Sequence, residues 1–440
     1  YAASNFLETA AKVTNNEKVN RFISGGSLKA KLWTSGHNDL KLLLNGGLDY
    51  YNLLTTAIFP NSLQFESNGN GLNGVSVQGN TNNLATNISA FLVFSHYNTD
   101  GITSHTQVGL TQEDFNQNTI LGESSNLIGS QTNLDQAGTR NIMQNRIIQQ
   151  DKGFFAQEEL NWQDKLIATV GVRGDKSSNN GDVNKLYFYP KGSLAINLHE
   201  FMEMNSDKLN LLKLRVAYGQ SGNFAKFGSK YTSFVSGVVD GNPGIEIDDL
   251  LGNDQVAPER QTEIEFGADV NAFNNRVGLE LTYYIKSVKD LLVEADVPWS
   301  TGFISEVTNA AELQNKGFEI SANLQVIRSA DLEWNARLSW WTNDAKVTKL
   351  SIPSFTTGGF ADFLGQFRIE EGHSPTEIIG VAPGVDGLVV YGDAEPDFQM
   401  SWFNTLSWRN FDLIFLWHWK QGGEAINLST LLFDLGETTH

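Results

Sequence analysis

The chain has 440 residues, with 50 acidic against 31 basic side chains, a net charge of −19 and no cysteine. The acidic balance argues against nucleic acid as a partner, because phosphate binding needs a positive field. The missing thiols exclude disulfides, thiolate metal sites and cysteine nucleophiles.

No stretch approaches the roughly 20 apolar residues that a spanning helix needs. The longest apolar runs, such as LIFLW at 413–417, are strand-sized. The sequence opens on Tyr1 without a Met or a signal peptide, so the expectation is that processing or truncation has removed its start. Glycine is plentiful (41) and proline scarce (9), as suits long strands joined by Asn/Gly/Asp turns.

Along the chain, alternation with period two predicts about fourteen strands of about ten or more residues, in pairs. Within pairs the links are short: SGH near 36, TDG near 100, Gln163-Asp164, Asn274-Asn275, SAD at 329–331 and Arg409-Asn410. One is longer, HEFMEMNSD at 199–207. Between pairs the predicted links are long and polar: 55–86, 113–150, 222–256, 293–311 and 347–395. Short links alternating with long ones are the mark of an up-and-down barrel, tight turns at one rim and large loops at the other. Connections above about 15 residues are uncommon in compact domains unless they carry function.

The two faces read strand by strand. In LNLLKLRVAYGQSGN (209–223), Leu212, Leu214, Val216 and Tyr218 share one face; Lys213, Arg215, Ala217 and Gly219 share the other. In 262–272 the apolar face is Thr262, Ile264, Phe266, Ala268, Val270 and Ala272, opposed by Glu263, Glu265, Gly267, Asp269 and Asn271. Val277, Leu279, Leu281, Tyr283 and Ile285 continue it, against Glu280, Tyr284 and Lys286. In 318–341, Phe318, Ile320, Ala322, Leu324 and Val326, then Leu332, Trp334, Ala336, Leu338 and Trp340, oppose Glu319, Ser321, Asn323, Gln325, Glu333, Asn335 and Arg337. At 411–420, Phe411, Leu413, Phe415, Trp417 and Trp419 alternate with Asp412, Ile414, Leu416, His418 and Lys420.

Apolar faces ending in Trp or Tyr suit the aromatic girdle of a membrane boundary. The polar faces carry too many charges to be buried dry. The expected fold is therefore an all-β, transmembrane, antiparallel up-and-down barrel with a wet lumen. Its expected lumen-facing residues are Lys213, Arg215, Glu263, Glu265, Asp269, Tyr284, Glu319 and Arg337. The competing reading is a large soluble antiparallel sheet with one wet face.

Motifs for chemistry are mostly lacking. GNGLNG (69–74) fits G-x-G-x-x-G but has no clear strand before it and no helix pattern after it, so it reads as loop glycine. GQSGN (219–223) has Asn223 where a nucleophile elbow needs glycine. The seven histidines show no metal-ligand spacing; His96 and His105 are expected to face each other across a hairpin as a polar pair. Glu263 and Glu265, side by side on one wet face, read as field-setting charges rather than an acid/base pair. The acidic stretch DGNPGIEIDDLLGND (240–254) offers oxygen ligands for Ca²⁺ without EF-hand spacing, and reads first as a solvated loop. No cofactor and no enzymatic activity are expected.

Several segments resemble the SusC/RagA family of TonB-linked outer-membrane transporters. LKLRVAYGQSGN (212–223) is similar to that family's R-x-x-x-G-x-x-G-N strand, through Arg215, Gly219, Gly222 and Asn223. The stretch 257–292 resembles its P-E-x-x-x-x-x-E-x-G hairpin, through Pro258, Glu259, Glu265, Gly267, Arg276, Tyr284 and Asp290. NKGFEI (315–320) resembles its N-K-G-x-E strand start, and 153–178 the hairpin ending in R-x-D-x-S-S, with Lys176 where glycine is usual. The resemblance runs from about residue 18 to 430. It implies a 22-stranded barrel, a plug domain, a TonB box and a SusD-like surface lipoprotein that lids the barrel. No segment resembles the plug or TonB box, so residues 1–440 are expected to be the barrel portion of a longer protein, its terminal strands not in this chain.

The expected function is TonB-powered import of a bulky nutrient, oligosaccharide or peptide, across a bacterial outer membrane, with the SusD-like lipoprotein and the TonB complex as partners and outer-membrane lipid around the barrel. The alternatives are a passive porin and a surface adhesin or assembly barrel. In SFTTGGFADFLGQFRIEEG (354–372), Phe355, Phe360, Phe363 and Phe367 sit in a stretch expected to be extracellular. Aromatics are costly to expose, so the candidates are packing within the loop, contact with the partner lid or contact with substrate.

Overall fold

The computed structural model describes residues 5–63, 72–98, 100–204, 208–239, 242–359 and 364–435. The first eight strands are β1 (Thr14–Ser35), β2 (Asn38–Phe59), β3 (Val75–Tyr97), β4 (Ile102–Leu127), β5 (Ala137–Trp162), β6 (Leu166–Ser177), β7 (Tyr187–Asn197) and β8 (Leu209–Asn223). A hairpin of β9 (Phe234–Val239) and β10 (Asn242–Ile247) and the two-residue β11 (Leu250–Leu251) follow. Then come β12 (Glu259–Ala272), β13 (Val277–Asp296), β14 (Ser305–Arg328) and β15 (Leu332–Leu350). A small sheet of β16 (Phe355–Thr357), β17 (Gln366–Ile369), β18 (Glu377–Val381) and β19 (Leu388–Asp393) precedes β20 (Phe398–Trp408) and β21 (Phe411–Gln421).

Fourteen strands form one path in chain order, β1 to β8, β12 to β15, then β20 and β21; β11 adds a short parallel pairing to β14. Every neighbour along the path is antiparallel, as the predicted meander requires. The tight turns lie where the sequence places them, all at one rim. Gln163 and Asp164 have φ of 52° and 56°, Asn274 and Asn275 have 56° and 60°, the left-handed pair that matches hairpin twist. The longer link holds a short helix, Leu198–Phe201.

The other rim differs from expectation. The stretch predicted as a link over 113–150 is mostly strand: β4 runs to Leu127 and β5 starts at Ala137. The predicted links 55–86 and 293–311 shrink in the same way, since β2 ends at Phe59, β3 starts at Val75, β13 ends at Asp296 and β14 starts at Ser305. The extensions of β3 and β4 carry polar side chains on both faces, as in QGNTNN (78–83) and EDFNQNT (113–119). Apolar alternation marks a strand only where one face is dry, so it fades where both faces are wet although the ladder continues. The links 224–258 and 351–397 remain long and hold the small sheets.

Glycines fit this sheet to its largest side chains. Gly109 lies between Phe91 and Phe155 on the flanking strands, whose rings meet above it with centroids 5.4 Å apart. On the opposite face Gly174 separates Phe154 and Phe188, centroids 6.1 Å apart. A Cβ on Gly267 would stand 2.4 Å from Arg215, and one on Gly317 would stand 2.2 Å from the Tyr284 ring. Cross-strand filling of a glycine by its neighbour's side chain is a known stabiliser of edges and pleats.

Candidate functional site

The eight residues predicted for the polar face do share one face. Lys213 is the register partner of Asp269, Arg215 of Gly267, Glu265 of Tyr284 and Glu263 of Lys286. Glu319 pairs with Thr282 and Arg337 with Asn323, in step with the same side. The opposite face is a continuous apolar belt that runs from Tyr218 through Ile264 and Ile285, then Phe318 and Ile320, to Trp340, Met400 and Trp419. Trp417 is 68% exposed on it and Phe266 51%.

Some of the eight touch and others do not. The Arg215 guanidinium donates to Glu265, to Asp269 Oδ1 at 3.4 Å and to Thr282 Oγ1 at 2.6 Å. Tyr284 donates its hydroxyl to Asn343 Oδ1 at 3.1 Å, and with Glu263 and Glu319 it lines a small hollow. Arg337 stands apart, near the tight-turn rim, in a hollow of about 720 Å³ shared with Arg276 and Arg328.

The resembling motifs hold the strands and their rims together. Glu259 accepts from Asn223 Nδ2 at 3.2 Å and from the Leu292 backbone N–H at 3.0 Å, just past the irregularity in which Asp290 takes a φ of 57°. Arg276 donates to the carbonyls of Gln325 and Val326 at the opposite rim. In the R-x-D-x-S-S stretch, Arg173 Nε donates to Asp175 at 2.7 Å, and Ser178 Oγ accepts from the Gln150 N–H at 2.9 Å. Glycines of these motifs are seats: Gly222 lies under Tyr189, Gly267 under Arg215 and Gly317 under Tyr284.

The largest gap in the sequence reading lies on the polar face of β4 to β8. A hollow of about 590 Å³ opens there, lined by Glu113, Asp151, Arg173, Asp175, Tyr189 and Lys191 among others. Glu113 and Asp151 are direct register partners on β4 and β5. Asp151 Oδ2 accepts from Gln149, while Oδ1 is buried with no hydrogen-bond partner. Arg173 is held by Asp175 and reaches Thr111 Oγ1 at 3.3 Å. Alternation gives no strand signal over 113–150 and so misses Glu113; the Arg173/Asp175 spacing is the one sequence signal that points to the rest of the lining.

Other expectations need adjusting. His96 and His105 do not face each other: Ser95 is the partner of His105 and His96 that of Ser104, so their side chains lie on opposite faces. Phe355 pairs with Ile369 and Phe367 with Thr357 and Ile378 in the small sheet, both half-buried; Phe360 and Phe363 lie outside the described residues. GNGLNG lies mostly outside them too. In the acidic stretch 240–254, Asp248 accepts from Ser233 Oγ at 2.7 Å, and among the described residues no three acidic or histidine side chains gather for a metal.

Comparison with known proteins places this geometry. The family described as TonB dependent receptor-like, beta-barrel matches residues 7–416. TonB-dependent receptor P26 of Formosa agariphila is 30% identical over 334 residues, which is 65% of this chain and 33% of that protein. TonB-dependent receptor P3 of the same organism is 28% identical over 326 residues, 63% of this chain and 32% of that protein. The chain thus spans about a third of the length of these curated relatives. In fold it is similar to the RagAB peptide transporter structure, with a TM-score of 0.78 at 17% identity over 93% of this chain and 48% of that one. The apolar belt, the charged opposite face and the fourteen-strand meander suit a barrel wall, and the chain belongs to the TonB-dependent receptor-like β-barrel family of outer-membrane transporters.

Proposed function

We propose that the whole protein imports a bulky nutrient, oligosaccharide or peptide, across the outer membrane with energy delivered by TonB. The observation that carries this reading is the charged inner face. Lys213, Arg215, Glu263, Glu265 and Asp269 stand together on two neighbouring strands, and so many charges need water rather than a dry core. Set in a TonB-receptor barrel wall, that face lines a passage wide enough for a large polar solute. On this reading residues 1–440 are part of a barrel completed by further strands, which would pair the edges left open at β1 and β21 among the described residues. A plug with its TonB box, and a SusD-like lipoprotein lid at the long-loop rim, complete the transporter. Similarity of fold to the RagAB peptide importer supports import by analogy, and the SusC/RagA-like motifs support the lid.

The test is growth of a strain lacking the receptor on single nutrients, with and without TonB. Growth restored by the receptor only when TonB is present supports active import. Growth restored equally without TonB, together with ion conduction by the purified receptor in planar bilayers, would identify a passive porin instead. Co-purification of a surface lipoprotein checks the lid.

A further inference from the structure

Toward the long-link rim, β4, β5 and β6 carry opposite charge on their two faces. The even-numbered residues of β4 and β5 continue the outer, apolar face of Leu110 and Phe154; the odd-numbered ones continue the polar face of Phe155 and Arg173. Beyond Leu110, Phe154 and Gly174, the outer face carries Arg140, Arg146, Lys152 and Lys176 against Asp114. Over the same length the polar face carries Glu113, Glu123, Asp151 and Asp175 against Arg173. A chain of net charge −19 has carboxylates to spare for both faces. Their exclusion from the outer one is the complement of an anionic neighbour outside the wall.

Lys152 and Lys176 are direct register partners on β5 and β6, and like charges so placed repel. Neither makes an ion pair or a side-chain hydrogen bond among the described residues. Lys152 is exposed and Lys176 half-buried, so both can be reached from outside. Lys152 acts on Asp114 only at a distance, and that carboxylate is held by Gln112 at 2.7 Å and Gln150 at 2.6 Å. Two residues along the strands, about 7 Å toward the belt, the Phe154 and Phe188 rings meet edge to face over Gly174. In the other direction a register row of the same face runs Asn52, Asn82, Asn118 and Arg146. Arg146 donates to Asn118 Oδ1 at 3.4 Å, and the Asn118 amide nitrogen donates to nothing among the described residues. From the belt outward the face is therefore aromatic, then cationic, then rich in amides. Lys176 is also the residue at which 153–178 departs from the motif it resembles.

We infer that this outer surface binds a phosphorylated glycolipid of the outer leaflet, with acyl chains on Phe154 and Phe188, a phosphate between Lys152 and Lys176, and sugars against the amides toward Asn118 and Arg146. A phosphate between the paired ammonium groups removes their repulsion, and the lysine stems reach headgroup level from the edge of the apolar belt. A zwitterionic phospholipid brings its own ammonium and no sugar, so it matches less of the surface. The inference goes beyond the import reading and does not depend on it, since it concerns what surrounds the barrel and not what passes through. It rests on the orientation that puts the long links outside the cell.

The experiment is native mass spectrometry of the purified full-length receptor in mild detergent. The receptor is titrated with bisphosphorylated lipid A, the same lipid A after phosphatase treatment, cardiolipin and phosphatidylethanolamine, with inorganic phosphate as competitor. Bisphosphorylated lipid A should bind about tenfold more tightly than each of the other lipids, and inorganic phosphate should not displace it. Lys152→Gln combined with Lys176→Gln should lower its affinity to that of the dephosphorylated form, while the paired Lys→Arg changes should keep it. Equal binding of the two lipid A forms, or unchanged binding by the Gln pair, overturns the site. Cardiolipin bound as tightly as lipid A makes the lysines a general anchor for anionic headgroups and overturns the glycolipid assignment; displacement by inorganic phosphate reduces the surface to an anion site and does the same. The lipid series on the unaltered receptor decides these points even if the variants fail to fold. Tagging on intact cells tests the orientation separately: long links found in the periplasm would put this surface at the inner leaflet and overturn the inference, whatever binds in detergent.

Discussion

Gly267 lies directly opposite Arg215, and the guanidinium occupies the space where a Cβ would stand. A methyl group at 267 would have to displace Arg215 along its stem, not only at its tip, since Cγ would be 2.7 Å away. The bonds to Glu265, Asp269 and Thr282 would go with it. Gly267→Ala should therefore destabilise the sheet by about 1–3 kcal/mol. Gly219→Ala, on the same face with nothing within 4 Å, is the control and should be near neutral. Denaturant midpoints of the purified proteins check the contrast.

Leu338 and Ser339 are neighbours on opposite faces, with partners Ala322 and Ser321 respectively. An arginine at mid-membrane on the lipid side costs about 2–4 kcal/mol, less near the rims. Leu338→Arg should reduce the amount of receptor inserted in the outer membrane, and Ser339→Arg should leave it close to normal. Equal loss for both would show that the apolar belt does not face lipid.

The tight turns and the long links occupy opposite rims. Peptide tags inserted within 224–258 or 351–397 should bind antibody on intact cells. A tag at Asn275 should bind only after the outer membrane is permeabilised. Labelling of the Asn275 tag on intact cells would reverse the assigned orientation.

Asp393 ends β19 in the small sheet of the 351–397 link. Burial raises its carboxyl pKa, but hydrogen bonds from the Thr376 hydroxyl, the Glu395 backbone N–H and Ser374 outweigh it and hold it below the usual 3.8. A depressed folded value means that its contribution is complete above the unfolded value and lost as the pH falls through the folded one. The 351–397 segment should thus resist an acid-active protease near pH 5 and open to it below about pH 4. Asp393→Asn should flatten that profile while the barrel strands stay protected.

Phe367 sits over Gly358 in the same small sheet, with ring carbon Cδ2 3.1 Å from where a Cβ on the glycine would be. Self-packing of this kind predicts that Phe367→Ser exposes the link to protease before any lipoprotein partner is lost. If co-purification of the lipoprotein falls while protease resistance holds, Phe367 is a partner contact instead.

What the sequence makes legible follows where water lies. On β8, β12, β13 and β14 one face is dry and one wet, so Val216, Ile264, Leu281 and Ile320 alternate cleanly with Arg215, Glu265, Thr282 and Glu319, and the register agrees with that alternation. On β4 and β5 above Thr111 and Gly153 both faces are polar, the alternation vanishes, and Glu113 vanishes with it into an apparent link, 113–150, that ends one residue short of its partner Asp151. Tight turns are readable because Asn274 and Asn275 accept a left-handed backbone at little cost. The histidines fail for a subtler reason: a one-residue difference in register between His96 and His105 sends them to opposite faces, and composition alone does not specify that step.

The paired rings over Gly109 and Gly174 bear on how such a wall assembles. A slip of two residues would keep every side chain on its proper face, so hydrophobicity alone would not oppose it. It would, however, bring Phe155 against Gln107 or Thr111 in place of Gly109, and Phe154 against Val172 or Lys176 in place of Gly174. The vacant positions thus act as keyways: they favour one offset of β4 against β3 and β5, and of β6 against β5 and β7, over a slip of two residues.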